Sequence, residues 1–396
     1  MEDVRLESPA SPAGIARCEG DLALVMSGGG ARAAYQVGLL RVLARRHPEL
    51  EIPILTGVSA GAINAVFLAA HSGRLALRVE RLVEIWNRLG VRDVFRVGPL
   101  GLFTQVAWWG GSLLSGGRWH SARRGMVDTA PLRGFLRDVL DAPQDTIAGV
   151  GSRIARGELR ALAITASSYT TGKSITWIQG CEMPTWERPG RRSRPAEITV
   201  GHVLASSALP LLFPAVKVEN EWFGDGGIRL TAPLSPAVHL GARKILAIST
   251  RYGRTRAEAD DPAVVGYPPP AQVAGVLLNA IFLDQFDGDA LRLELTNRLL
   301  ERLPGEQREG LRTLQLCVLR PSRDLGRLAN EYEAELPRTF RFLTRGLGTR
   351  RTRSNDLLSL VMFQNDYLKA LLELGERDGE TRAAEIDRFL AAPLPG

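Results

Sequence analysis

The chain has 396 residues, 45% of them hydrophobic and 23% charged, with a formal net charge of +7. That length predicts one large domain with additions or two domains, and the balance is ordinary for a soluble globular protein. The positive charge invites nucleic acid or an anionic membrane. However, only Lys173, Lys217, Lys244 and Lys369 are lysines among the 50 basic residues and the arginines form no single run, which argues against nucleic acid and leaves acidic lipid as a secondary idea.

Residues 1–20 are polar with two prolines and are expected to form a loosely ordered arm. Asp21 to Met26 reads as a short buried strand, and Ala33 to Leu43 as a helix with apolar residues at helical spacing. Between them lies Ser27-Gly28-Gly29-Gly30-Ala31-Arg32, a loop whose backbone N–H groups can face an anion. A dinucleotide loop would need an acid at the end of the second strand. Here that strand, Ile52 to Thr56, runs straight into Gly57-Val58-Ser59-Ala60-Gly61, so an oxyanion hole is the better reading. Strand, G-x-S-x-G and a helix from Ala62 to Ala70 is the context of a nucleophile elbow. The glycines let the chain turn and let the helix pack on the strand.

A second helix is expected over Leu75 to Arg88. Residues 90–125 mix Trp108, Trp109 and Trp119 with many glycines, which fits either a lid or a helical insertion with its own small core. A helix starts near Pro131, strands are expected at 159–167 and 173–179, a surface loop at 182–197 and a short helix at 199–208. Asp225-Gly226-Gly227 follows an apolar strand end. Asp225 is then either an acid held at a sheet edge or an ordinary turn aspartate. A helix near 232–242 and a parallel strand at Lys244 to Ser249 come next, followed by a Pro-rich linker at 251–270. The remainder is mainly helical: 271–303, a strand at 313–320, and helices at 336–347 and 355–375.

The loop Gly28 to Arg32, the elbow around Ser59 and the turn at Asp225, in this order, resemble the patatin-like phospholipase family, its bacterial branch in particular. Asp128 to Leu132, Ala205 to Pro210 and Tyr367 to Gly375 add secondary matches, so that the resemblance spans about 21–378. Ala33 stands where the family usually has glycine. The resemblance implies a three-layer α/β/α sandwich with a mostly parallel central sheet and additional C-terminal helices. It implies a Ser-Asp dyad, with Ser59 as nucleophile and Asp225 as base. Gly28, Gly29, Gly30, Ala31 and Arg32 would supply the oxyanion hole, with the Arg32 side chain near it. Gly57, Gly61, Gly226 and Gly227 would shape the elbow and turn. A Ser-His-Asp triad is the rival. Of His47, His71, His120, His202 and His239 only His239 follows Asp225, and it falls within a predicted helix rather than on a loop.

The expected organisation is an arm at 1–20, a catalytic domain at 21–250, a linker at 251–270 and a helical region at 271–396 that packs on it. The expected activity is hydrolysis of fatty-acyl esters of phospholipid or lysophospholipid through an acyl-serine, without metal or cofactor. Alternatives are a neutral-lipid or thioester hydrolase, or a silent binding module. Cys18, Cys181 and Cys317 are far apart and read as free thiols. No secretory signal and no apolar run of about 18 residues stand out. The expected location is therefore cytoplasmic, with peripheral contact to a membrane surface. Oligomeric state and head-group choice stay open.

Overall fold

The computed structural model describes residues 20–96, 125–181, 183–255, 258, 260, 264, 266–282, 284–336 and 354–394. Strands β1 (Leu22–Met26), β2 (Ile54–Val58), β3 (Ala161–Ser168) and β9 (Lys244–Ile248) are buried almost throughout. Their apolar runs suit parallel strands covered on both faces. With β4 (Ser174–Gly180), β5 (Glu187–Arg188), β6 (Arg191–Pro195), β7 (Val216–Val218), β8 (Glu221–Asp225) and β10 (Gln315–Leu319) they form one ten-stranded sheet. Its main order is β10-β9-β1-β2-β3-β4-β6-β5, and β10 through β3 run parallel.

The sheet separates two hydrophobic cores. Leu24 and Met26 of β1 point into one, with residues of the helices Ala33–Arg46, Ala60–Ala70 and Leu75–Arg88. Ala23 and Val25 point into the other, with Leu234, Leu240 and Phe286. This alternation follows the two-residue period of a strand. The result is the expected three-layer α/β/α arrangement around a mostly parallel sheet.

The chain beyond residue 270 is built into this frame. β10 extends the sheet through β9, and the helix Asn365–Thr381 packs along Ala33–Arg46.

Several expectations are corrected. The segment 182–197 is not all loop, because β5 and β6 add a hairpin to the sheet edge beside β4. Main-chain bonds hold an edge strand without an alternating apolar pattern, so the polar sequence concealed it. The expected helix 355–375 is two helices, Asp356–Val361 and Asn365–Thr381. The expected helix at 232–242 shortens to Ser235–His239. Cys317 is a buried free thiol as expected, whereas Cys181 is disulfide-bonded. Residues 1–19 of the arm, Trp108, Trp109 and Trp119, part of the Pro-rich linker and residues 337–347 of an expected helix lie outside the described residues. Among the described residues no helix is long and apolar enough to cross a membrane.

Candidate active site

β2 ends at Val58 and the helix Ala60–Ala70 begins two residues later. Between them Ser59 has φ 56° and ψ −132°. A non-glycine residue there stores strain of about 1–3 kcal/mol and persists only where its surroundings fix it. The Ser59 carbonyl accepts the Ala62 amide at 2.9 Å. The Ser59 amide donates to Ser206 Oγ at 3.1 Å, and Ser206 Oγ donates to the Thr165 carbonyl at 2.7 Å. A Cβ at Gly61 would stand 2.4 Å from the Ser27 carbonyl, so only glycine lets the helix approach the glycine loop this closely.

β8 brings Asp225 to the same point from the other direction. Val58 pairs with Thr165 of β3, and Asp225 pairs with the next residue, Ala166. Ser59 Oγ donates to Asp225 Oδ2 at 2.5 Å, and the Gly227 amide donates to Oδ1 at 2.9 Å. Asp225 is fully buried. Burial pushes its carboxyl up to about 7, against the opposing pull of the bonds from Ser59 and Gly227. A carboxylate with that pKa, hydrogen-bonded to a serine, can take the serine's proton near neutral pH.

The glycine loop lies against this pair. A Cβ on Gly28 would come within 3.0 Å of Ser59 Cβ. The Gly28 carbonyl accepts Thr250 Oγ1 at 2.6 Å and Ser27 Oγ at 3.2 Å. Because the peptide is planar and trans, the Gly29 N–H faces away from those hydroxyls. Gly30 has φ 55°, and a Cβ there would stand 2.1 Å from the Leu360 carbonyl. Among the described residues the amides of Gly28, Gly29, Gly30 and Ala31 have no protein acceptor.

Arg32 departs from the expectation. Its amide donates to the Gly29 carbonyl at 3.0 Å. Its guanidinium is buried, donating through Nε to Ser359 Oγ at 2.7 Å and through Nη2 to Asp356 Oδ1 at 2.6 Å. An arginine inside a protein needs a carboxylate, and Asp356 on the helix Asp356–Val361 supplies it, so the side chain is tied to that helix.

An apolar cavity reaches Ser59. Its lining includes Ile63, Phe67, Leu82, Trp86, Phe135 and Phe213 together with Gly30 and Ser59. No histidine of the described residues bonds to Ser59 or Asp225. His239 ends its helix and stacks on Trp186 at 4.4 Å. His202 is buried against Trp177 and pushed down to about 4 by burial. His71 stacks on Phe67 and His47 pairs with Asp387. Among the described residues no group of three or more His, Cys, Asp or Glu is arranged to hold a metal ion.

Sequence reasoning missed the supports of the site. Thr250 follows β9 at the same sheet edge as Ser27 and Ser59, a position that could have flagged it. Gln36 donates to the Ser27 carbonyl at 2.8 Å and accepts from Asn64, which accepts from Trp86 of the cavity wall. Gln36 and Asn64 are polar residues on helix faces that otherwise point into the core, which was the available signal. Nothing local in the sequence marks Asp356.

A family model described as patatin-like phospholipase matches residues 24–238. Calcium-independent phospholipase A2-gamma of Rattus norvegicus is 26% identical over 220 residues, covering 54% of this chain and 25% of that protein. Its Oryctolagus cuniculus counterpart is 24% identical over the same shares. The chain thus spans about a quarter of the length of these curated relatives. Human GIVD cytosolic phospholipase A2 in complex with methyl gamma-linolenyl fluorophosphonate aligns with TM-score 0.44 at 12% identity, over 93% of this chain and 58% of that one. The type III effector protein ExoU aligns with TM-score 0.33 at 14% identity, over 89% and 53%.

Proposed function

The chain belongs to the patatin-like phospholipase family, and from that premise we propose that it is a serine lipid acyl hydrolase working through a Ser59–Asp225 dyad. The observation that carries the proposal is the 2.5 Å hydrogen bond from Ser59 Oγ to a fully buried Asp225, with Ser59 lining an apolar cavity.

Asp225 takes the hydroxyl proton as Ser59 Oγ attacks the ester carbonyl carbon. The carbonyl oxygen becomes an oxyanion facing amides of Gly28 to Ala31. By analogy with other acyl transfers, each such donor contributes about 10²–10³ in rate. The tetrahedral adduct collapses as Asp225 returns the proton to the leaving alkoxide, leaving acyl-Ser59 and the released alcohol. Water then attacks the acyl carbon, Asp225 accepts its proton, and collapse regenerates the Ser59 hydroxyl with release of the fatty acid. The backbone of Arg32, engaged with Gly29, stands outside the donor set, and its side chain serves to anchor the loop.

The acyl chain would occupy the apolar cavity, whose lining of Phe67, Trp86, Phe135 and Phe213 suits a hydrocarbon. A phospholipid or lysophospholipid ester is the substrate class we assign, met from the water side at a membrane surface, with the cytoplasm as its location. Residues 21–250 supply the reacting groups. The region from 271 on is read as a buttress, since Asp356 and Leu360 touch the glycine loop.

A fluorophosphonate serine probe tests this on the wild type, Ser59→Ala and Asp225→Asn. The expected result is labelling of the wild type alone, with all three folded by circular dichroism. Full labelling of Ser59→Ala would overturn the assignment.

A further inference from the structure

The helix Pro270–Phe282, with sequence PAQVAGVLLNAIF, contains no charged residue. Its inner side packs on Asp356–Val361 and on the turn Gly226–Arg229 that follows Asp225. Asn279 Nδ2 donates to Asp356 Oδ2 at 2.6 Å, on the carboxylate that holds Arg32. Its outer side carries Val273, Val276, Leu277 and Ala280, spaced three or four apart as one stripe and all exposed. Val276 is 56% exposed and Leu277 58%, and Tyr267, just before the helix, is 95% exposed. A soluble surface rarely leaves such a stripe uncovered.

Basic residues stand beside it. Arg229 closes the turn on which the helix packs, and its Nη2 lies 3.7 Å from where a Cβ of Gly190 would be. Gly190 joins Arg188 to Arg191 and Arg192 in the hairpin of β5 and β6. Among the described residues Arg188, Arg191, Arg192 and Arg229 make no salt bridge; Arg191 lies in the field of Asp289 and Arg192 in that of Glu187 and Glu221, carboxylates already paired with Arg292, Lys173 and Arg194, so positive charge is in excess here. An apolar stripe beside a surplus of arginines complements an anionic bilayer, with apolar side chains in the acyl region and guanidinium groups at the phosphates.

We infer that the helix Pro270–Phe282 and the arginines of the adjoining turn and hairpin are the face by which the protein docks on an anionic lipid surface. This deepens the hydrolase reading and rests on it for its purpose, since it sets the Ser59 edge of the sheet against the substrate phase.

The test uses the full chain, with Val276→Asp/Leu277→Asp as one variant, Val273→Asp as a second and Arg191→Glu as a third. Co-sedimentation is measured with vesicles of phosphatidylcholine alone and of an equimolar mixture with phosphatidylglycerol. Fluorophosphonate labelling in free solution runs alongside. The wild type should prefer the mixed vesicles. The double variant should lose about tenfold or more of that binding, Val273→Asp should lose less, and Arg191→Glu should lose the preference for the anionic mixture, all with labelling unchanged. Unaltered vesicle binding in the apolar variants would overturn the proposal. So would a wild-type dimer in light scattering that the double variant dissociates, because a second copy would then cover the stripe. Vesicle binding that depends on Val276 and Leu277 in a protein the probe never labels would uphold the docking face and defeat the hydrolase reading instead.

Discussion

Asp225 Oδ2 receives the Ser59 hydroxyl at 2.5 Å in a position closed to solvent. Water cannot solvate the carboxylate there, so its proton is held to about pH 7 rather than released near 3.8. A base must be ionised to accept a proton. We therefore expect kcat/KM on a soluble ester to rise with pH through a limb near 7 and level off above it. A stopped-flow pH profile checks this, and a flat profile between pH 5 and 8 would remove Asp225 as the base.

The same shift makes Asp225 a stability cost. The unfolded chain releases this proton near pH 3.8 and the folded chain near 7, so between these values the folded state holds more protons. Its stability accordingly falls as pH rises through that window. Asparagine cannot ionise. Asp225→Asn is expected to be more stable than the wild type at pH 8, by at most about 4 kcal/mol, and so to unfold at a higher temperature there, and at a similar one at pH 4, while losing activity. Thermal unfolding at the two pH values decides it, and a destabilised variant at pH 8 would contradict the burial argument.

Arg32 and Asp356 are joined by 2.6 Å although they are 324 positions apart. Removing one partner strands the other charge in the interior. Asp356→Ala is expected to cost about 3–5 kcal/mol in urea unfolding and to slow fluorophosphonate labelling by loosening the loop that Arg32 anchors. Arg32→Lys keeps the charge but not the fork that reaches both Ser359 and Asp356, and should fall between. Labelling at the wild-type rate in a folded Asp356→Ala would show that this anchor does not matter to the site.

Leu82 lies on the cavity wall contributed by the helix Leu75–Arg88. Leu82→Trp should narrow the cavity and shift the acyl preference toward short chains, at a stability cost of about 1–3 kcal/mol for overpacking. The ratio of kcat/KM for long and short esters is the measurement. An unchanged ratio would mean that the chain does not enter this cavity.

The parts legible in the sequence were those whose chemistry is local. The strand, turn and helix around Ser59 announce themselves within twenty residues, and so does the glycine loop after β1. Asp225 was ambiguous by itself, because a D-G turn looks the same with or without a serine facing it. The partner of the Arg32 side chain was not legible, because it comes from the far end of the chain and no short-range pattern records such a pairing. β5 and β6 were concealed because their bonds are main-chain bonds at a sheet edge. The break between Asp356–Val361 and Asn365–Thr381 lies inside an apolar run whose period carries across it.

Val58 and Asp225 occupy successive places along one edge of β3, opposite Thr165 and Ala166. β2 and β8 thus meet nose to nose on a shared template. The gap between the two backbones is a matter of strand registry and takes stepped values, since sliding β8 by one residue would move Asp225 by about 3.3 Å and turn it to the opposite face. No gentle adjustment can tune that gap. Any control over this pair has to act on who reaches it, through the approach to the cavity or the surface on which the molecule sits, and leave the pair itself permanently assembled.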